Sequence, residues 1–245
     1  MDIDTLKTNG YISFNLKDFD NELYTQLEEA SDIPDTSTWQ ETCTTLRIDF
    51  KSTDSYETTF SDLPLPSQDQ CDINSTKNIE DNSYHHQCKF TFNNFAEANE
   101  FKTLFLNKSD SYDIAQIWFY ATDILSSLDQ VYEKLIDKIL SEFYNITDTD
   151  PIGMNTTFTY YNKECSLESH RDGPDASRIC AILLYLNKNY DENDGGYLVL
   201  DGNVKVYPTF GTTVILDFTQ NDIEHEVIKC TNNGRHALLT FLTLN

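Results

Sequence analysis

The chain has 245 residues, 39% of them hydrophobic, and a formal charge of −24 at neutral pH. This length is compatible with one jelly-roll or barrel domain, and a field of this sign repels phosphate backbones and anionic lipids, which argues against nucleic-acid and membrane partners. Because no apolar run approaches a membrane span and the N-terminus lacks signal-peptide features, we expect an intracellular, cytoplasmic protein with its six cysteines reduced.

The N-terminal part begins with three predicted elements. Alternating apolar residues predict a short strand over 10–16. Acidic residues in a first turn, followed by Leu23 and Leu27 on one edge, predict a helix over 18–30. Alternation returns over 46–50 and predicts a half-buried strand.

The segment 51–87 is polar and rich in Ser, Thr, Asp and Asn, with Pro64 and Pro66 in a turn-like run. This composition predicts a long loop or flexible insert, either a disordered excursion or a lid over a site. His85 and His86 lie near its end. Neighbouring strand residues face opposite ways, so we expect surface residues rather than a chelating pair.

The next segments combine a strand and two helices. An aromatic amphipathic pattern predicts a strand and then a helix over 90–105, and apolar residues at three- and four-residue steps predict a long helix over 121–144. The wide apolar face of the long helix is typical of a helix that packs on a sheet.

After Met154 the apolar period changes from 3.6 to 2, which predicts strands. The eight candidate strands are 154–162, 166–172, 178–186, 195–200, 203–207, 212–218, 224–229 and 236–243. Short strands with turn signals at this spacing are typical of a jelly roll of two packed sheets. We therefore expect a mainly β single domain over 1–245, whose jelly-roll core spans 154–245. Residues 1–150 would supply flanking α-helices and strands that brace one sheet from outside.

One set of residues within the predicted strands has the side chains of a metal site. His170 and Asp172 are two residues apart, so on a strand both side chains face one side. His225, on the seventh predicted strand, completes two histidines and one carboxylate, the ligand set of a non-haem Fe(II) oxygenase. A lone His-x-Asp arises by chance, but the ordered set predicts a metal site. Arg235 is a cation suited to bidentate pairing with a carboxylate, or else to a surface salt bridge. His236 would face the opposite side and is not expected to be a ligand.

The region 154–245 resembles the iron(II)- and 2-oxoglutarate-dependent dioxygenases, specifically the prolyl 4-hydroxylase-like branch. The matching motifs are Tyr161, His170-Arg171-Asp172, Arg178, Leu184-Tyr185-Leu186-Asn187, Gly195-Gly196-Tyr197-Leu198-Val199-Leu200, Pro208, Gly211, Val214-Ile215-Leu216-Asp217-Phe218, His225-Glu226-Val227 and Gly234-Arg235. The first 150 residues show no matching motif. The segment between Tyr161 and His170 lacks the glycine usual in the family, and Phe241 stands where the nucleic-acid demethylase branch has a second arginine.

The resemblance implies a double-stranded β-helix with Fe(II) held by the catalytic residues His170, Asp172 and His225. It implies that Arg235 and Tyr161 bind the co-substrate 2-oxoglutarate, with dioxygen as the oxidant and ascorbate as a further candidate cofactor. The implied reaction hydroxylates an unactivated C–H bond while 2-oxoglutarate is decarboxylated to succinate and CO₂. The implied substrate is a prolyl residue in a protein or peptide, a free amino acid or another small molecule. For Tyr161, a packed strand aromatic is the open alternative.

Two other functions are compatible with a jelly roll. The first is a non-catalytic binding module that retains a metal site, which the complete ligand set and Arg235 disfavour. The second is a cupin-type metalloenzyme, for which the extra histidines are missing. The sequence leaves the identity of the substrate and the oligomeric state open.

Overall fold

The computed structural model describes residues 3–30, 44–108, 110, 112–122, 126–147, 151–172, 177–219, 223–232 and 234–244. Cys43 and residues 123–125 of the predicted long helix lie outside these ranges. The other five cysteines are free thiols. No helix in the described ranges is both long enough and apolar enough to cross a bilayer.

The elements alternate between helices and strands in the first half and are almost all strands in the second. The helices are α1 Ile3–Asn9, α2 Leu16–Phe19, α3 Asn21–Ala30, α4 Tyr56–Phe60, α5 Phe95–Lys108 and α6 Ser126–Ile139, with a π-helical turn Leu140–Tyr144 after α6. The strands are β1 Tyr11–Asn15, β2 Thr44–Ser52, β3 Cys71–Lys77, β4 Tyr84–Phe92, β5 Asp113–Ala121, β6 Ile152–Tyr161, β7 Ser166–His170, β8 Arg178–Tyr185, β9 Leu198–Leu200, β10 Val204–Val206, β11 Thr212–Asp217, β12 His225–Val227 and β13 Arg235–Leu244.

The strands form one winding antiparallel sheet in the order β1-β11-β8-β13-β6-β5-β7-β12-β9-β10, and β2, β4 and β3 extend it beyond β5. The sheet curls into a nearly closed barrel, since β5 pairs with β6 and also with β7. Long apolar side chains from both halves of the chain fill one core. The mainly β, jelly-roll prediction is confirmed, and all eight strands predicted after Met154 are present as β6 to β13.

Two of these strands differ from prediction at their ends. β7 stops at His170, so Asp172 follows the strand rather than lying on it. β9 starts at Leu198, because Gly195 and Gly196 both adopt left-handed backbone angles with φ of +68°. A side chain at Gly195 would also collide with the backbone oxygen of Lys229.

The long helix packs on the outer face of the barrel, as its pattern predicts. The buried Tyr132 hydroxyl of α6 donates to the carbonyl of Ile182 on β8 at 3.2 Å and accepts from Thr240 on β13 at 2.9 Å. The predicted start of this helix is wrong, because Ala121 is the last residue of β5. β5 pairs with β2, β6 and β7 and is a central strand, but its apolar residues follow no strict alternation, so the sequence did not mark it as a strand.

The predicted helix over 18–30 is interrupted at Asp20. This residue is extended, with φ of −154°, and ends α2. Its carboxylate accepts hydrogen bonds from the backbone nitrogens of Glu22 and Leu23, both at 3.0 Å. The carboxylate therefore caps α3 and starts a second helix in a new direction.

The prediction of a loop or flexible insert over 51–87 is wrong. The segment contains α4, β3 and the start of β4, and β4 pairs with both β2 and β3. β3 pairs with β4 on one side only and most of its side chains are exposed, so an edge strand explains the polar composition. The surface assignment of His86 is also wrong. This side chain is fully buried, bonded to the Ser75 hydroxyl at 2.8 Å and the Asp54 carbonyl at 3.1 Å.

Candidate metal centre

His170, Asp172 and His225 converge at one end of the barrel. His170 ends β7 and His225 begins β12, and the two residues are directly paired across these strands. Asp172, just beyond β7, places Oδ1 3.6 Å from His170 Nε2 and Oδ2 3.8 Å from His225 Nε2. One potential ligand atom from each residue lies within 4.8 Å of the other two. This arrangement leaves a point between them where one cation could contact all three.

The backbone sets the tautomer of both histidines. His170 Nδ1 lies 2.9 Å from the Glu168 carbonyl, and His225 Nδ1 lies 3.0 Å from the Ile223 carbonyl. A carbonyl can only accept, so each Nδ1 carries the proton and each Nε2 presents its lone pair to the centre. Such backbone hydrogen bonds are the usual means of orienting a metal-binding imidazole.

The three side chains have different electrostatic environments. Burial lowers the pKa of His225, which keeps this ring neutral. Burial is the largest single influence at the other two groups and opposes their ionisation, but several contacts together outweigh it. The Asp172 carboxylate and the Glu168 carbonyl raise the pKa of His170, and His170 and His225 lower the pKa of Asp172. Asp172 is therefore ionised, and a cation bound between the three residues would supply positive charge beside it.

A polar contact outside the centre ties its two strands together. Glu224, next to His225, accepts from the Ser169 hydroxyl at 2.7 Å and from Arg171 Nη2 at 3.4 Å. Arg171 contacts Glu224 outside the centre, and its side chain is half exposed. These contacts link the residues beside each histidine without entering the site.

Arg235 is buried in the same cavity, with 3% of its surface exposed. Its guanidinium carbon lies 4.7 Å from the ring centre of Tyr161 and 5.1 Å from that of Tyr185, and Nη2 donates to the Tyr185 hydroxyl at 3.3 Å. Its Nε has no protein partner among the described residues, and no carboxylate in them lies within ion-pair distance. A buried cation without a counter-ion is costly, so the pocket is built to receive an anion.

The backbone around Arg235 is held tightly. The Asn187 side chain donates to the Gly234 carbonyl at 2.5 Å and accepts from the backbone nitrogen of His236 at 2.9 Å, so it brackets the arginine. Arg235 also pairs directly with Tyr161 across β13 and β6. A Cβ at Gly234 would overlap the Tyr161 backbone oxygen, which explains the glycine before the arginine.

Tyr161 lies almost fully buried between Arg235 and Trp118. Its ring is parallel to that of Trp118 within 5°, with 6.0 Å between ring centres. Burial raises the pKa of its hydroxyl, so the group stays protonated and able to donate. Tyr161 is therefore both a packed aromatic residue and a lining residue of the cavity.

The cavity that joins these groups has a volume of about 310 Å³. All five predicted site residues line it, and the remaining walls are mainly apolar. Its other lining residues are Arg47, Gln116, Trp118, Thr159, Leu167, Arg178, Ala181, Leu183, Leu198, Leu216, Val227, Leu239 and Phe241. Two neutral imidazole nitrogens, one carboxylate and open space beside them suit Fe(II) with further ligands, so the residues present fit this metal.

Sequence reasoning missed one wall of the cavity. Arg47 on β2 and Gln116 and Trp118 on β5 line it, and all three come from the half of the chain without recognisable motifs. The alternation over 46–50 does place Arg47 and Asp49 on one face. A polar face in sequence suggests exposure to solvent. Here the pairing of β2 with β5 turns this face toward the site, which the sequence alone does not show.

The barrel brings together two histidines and one carboxylate that could hold a metal ion, the donor set typical of non-haem iron centres. Residues 156–243 match the family model described as the 2OG-Fe(II) oxygenase superfamily, a span that contains all five predicted site residues. Over that span, somewhat more than a third of the chain, the protein is similar to this superfamily. No curated protein sequence matches the chain.

Three solved structures are similar to the chain, and the first of them supports the same fold. A prolyl-4-hydroxylase from Pseudomonas putida is 15% identical, with a TM-score of 0.50 over 99% of this chain and 97% of that one. A Trichoplax adhaerens prolyl hydroxylase, solved with a hypoxia inducible factor peptide fragment, is 17% identical, with a TM-score of 0.48 over 98% and 86%. A Phytophthora capsici prolyl 4-hydroxylase is 16% identical, with a TM-score of 0.47 over 98% and 61%.

Proposed function

We propose that this protein is an Fe(II)- and 2-oxoglutarate-dependent hydroxylase acting on an unactivated C–H bond. The substrate would be a prolyl residue in a protein or peptide, or a free amino acid, and 2-oxoglutarate would be converted to succinate and CO₂. The observation that carries the proposal is the convergence of His170, Asp172 and His225 with the buried Arg235, which has no counter-ion among the described residues, in one cavity. A cation site and an anion site side by side suit a metal-binding dicarboxylate co-substrate.

Each residue has a proposed task. Nε2 of His170, Nε2 of His225 and the Asp172 carboxylate would hold Fe(II), which, when bound, couples oxidative decarboxylation to C–H hydroxylation. Arg235 would bind the far carboxylate of 2-oxoglutarate through a charge-assisted pair, satisfying its free Nε–H. The Tyr161 hydroxyl would donate a hydrogen bond to the same co-substrate.

The apolar lining supports this assignment. Leu198, Val227 and Leu216 belong to three different strands and face the same cavity as the polar groups. They would exclude water from the reacting groups and strengthen the electrostatic interactions inside. The substrate would occupy the part of the cavity that 2-oxoglutarate does not fill.

Succinate release tests the proposal directly. The protein is reconstituted with Fe(II), 2-oxoglutarate, dioxygen and ascorbate, and proline-containing peptides and free L-proline are offered. We expect Fe(II)-dependent succinate release, stimulated by the productive substrate, and a product one oxygen heavier by mass spectrometry.

Two ligand variants and one matched control complete the experiment. His170→Ala and Asp172→Ala should each lower succinate release at least about 100-fold, because each removes a metal ligand and the loss propagates to co-substrate binding. His85→Ala, on the distant strand β4, should leave it unchanged. Wild-type protein that releases no succinate with any substrate, or ligand variants that stay active, would refute the proposed function.

A further inference from the structure

The turn between β6 and β7 has a strained backbone. It runs from Asn162 to Cys165, and the Cys165 nitrogen donates to the Asn162 carbonyl at 2.9 Å. Its third residue, Glu164, adopts a left-handed conformation with φ of +69°. Glycine takes up this conformation without steric cost, whereas a residue with a side chain does not. The segment between Tyr161 and His170 contains no glycine, so other contacts have to hold the turn in this form.

A buried lysine from the N-terminal half of the chain makes such contacts. Lys102 on α5 is 4% exposed, and its ammonium group donates to the Asn162 side-chain oxygen and, at 2.8 Å, to the Lys163 carbonyl. The Asn162 amide donates in turn to the Asn99 side chain on the same helix at 2.8 Å. Burying an ammonium group is costly unless it is hydrogen-bonded, so the folded protein retains these contacts with the turn.

The side chain of Glu164 gives the turn less support. Its carboxylate lies 3.4 Å from Lys229 Nζ, with 42% of the glutamate and 61% of the lysine side chain exposed. Exposed ion pairs contribute little to stability because solvent screens them. The buried Lys102 is therefore a stronger restraint on the turn than Lys229.

The turn connects two parts of the candidate site. Tyr161 directly precedes it, and β7, which directly follows it, ends at His170. Two backbone hydrogen bonds of 2.9 Å also join the turn to Cys230, in the segment that leads to Arg235. A change in the turn would therefore displace residues of the metal centre and of the anion pocket together.

We propose that Lys102 is a positioning residue for this site. It holds the turn in its left-handed conformation and thereby fixes Tyr161 and His170 in the arrangement that binds 2-oxoglutarate. Lys102 does not line the cavity, so it acts through the turn and not by contact with a ligand. The inference rests on the proposed function, because it assigns the binding of that co-substrate to a residue outside the cavity.

Lys102→Met tests this role, because methionine has a similar length but donates no hydrogen bond. Each protein is saturated with Mn(II), and 2-oxoglutarate is titrated calorimetrically, which gives the Kd and the number of binding sites per chain. We expect Lys102→Met to raise the Kd at least about tenfold without changing the number of sites. A purely structural role would lower the number of competent sites and leave the Kd unchanged.

A second substitution tests whether Lys102 acts through the strained turn. Glu164→Gly removes the steric cost of the left-handed backbone, so adding it to Lys102→Met should return the Kd to within about threefold of the wild type. Lys163→Gly, at the neighbouring position whose φ is not positive, should not restore it. Lys108→Met, which changes an exposed lysine on the same helix, should leave the wild-type Kd unchanged.

If Lys102→Met does not fold, Asn162→Ala decides the inference by the same criteria, because it removes the acceptor of the same hydrogen bond. An unchanged Kd, or equal recovery with Lys163→Gly and Glu164→Gly, would overturn the inference, as would a higher Kd that Glu164→Gly does not lower. When the wild type binds 2-oxoglutarate, each of these results refutes only the role of Lys102. If the wild type does not bind it, the proposed function fails and the inference fails with it.

Discussion

His236 and Arg235 are adjacent on β13 but face opposite sides of the sheet. Arg235 faces the cavity, whereas the His236 ring stacks on Tyr160 with 4.5 Å between ring centres. His236 lies outside the three-residue cluster of potential metal ligands, as strand alternation predicts. His236 packs within the sheet, and its buried ring should make the folded protein less stable in acid.

Burial lowers the pKa of His236 to about 4, from an ordinary value near 6.5. Between these values the unfolded chain binds a proton at this site and the folded protein does not, so stability falls as the pH falls from 7 to 5. We expect His236→Phe to reduce this loss by about 1 kcal/mol, less than the full shift implies because the ring keeps partial solvent access.

The measurement is urea unfolding of both proteins at pH 7 and pH 5. All other titrating groups are shared, so the difference between the two pH-dependent changes isolates His236. An identical loss of stability in the two proteins would show that His236 is readily protonated in the folded state.

The site residues that could be predicted are those whose chemistry has a local sequence pattern. His170 and Asp172 are two residues apart on a predicted strand, His225 lies on a later predicted strand, and Arg235 comes ten residues after His225, just before the last predicted strand. The sequence did not predict that Tyr185 contacts Arg235 or that Arg47 lines the cavity, because both contacts arise only when the barrel folds. Only in the folded barrel does the Tyr185 hydroxyl accept a hydrogen bond from Arg235, and the sequence gives no local sign of this contact.

The segment that contains α4 and β3 changes most between sequence and structure. Its polar composition indicated a loop, but its few apolar residues are core residues. Phe60 is 2% exposed and packs against Phe50, Phe90 and Phe105, with ring centres between 5.4 and 6.0 Å apart. The composition of the whole segment does not reveal the buried Phe60, because most of the side chains of the edge strand β3 are exposed and polar.

Phe60→Ala should therefore lower the free energy of unfolding by about 3–5 kcal/mol, as expected for removing a buried aromatic side chain. Leu65→Ala, in the same segment but 40% exposed, should cost less than about 1 kcal/mol. Denaturant unfolding monitored by circular dichroism measures both. Similar, small effects for the two variants would show that the segment is not packed on the core.

The strands after Met154 were predictable because most of them alternate or end in strong turn signals. Asp201 and Gly202 turn with φ of +47° and +70° between β9 and β10, as the Asp-Gly pair predicts. β5 and the break at Asp20 were not predictable in the same way. The first is a central strand without alternation, and the second depends on a cap within an otherwise helical pattern.

At the scale of the whole molecule, closure of the barrel creates the site. β7 and β12 carry His170 and His225, and β6 and β13 carry Tyr161 and Arg235. β5 pairs with both β6 and β7 and joins the two groups. The net charge of −24 disfavours polyanions at the surface, whereas the buried Arg235 offers a cation inside the cavity.

The most direct test of the account is anaerobic titration of the wild-type protein with Fe(II) and 2-oxoglutarate, followed by visible absorption. The account predicts a weak band in the green region that requires both components and is absent in Asp172→Ala. Arg235→Gln should need about 100-fold more 2-oxoglutarate to reach half of the band, since it removes the buried partner of a carboxylate. Arg171→Gln should match the wild type. A wild-type protein that shows no band with both components present would contradict the account.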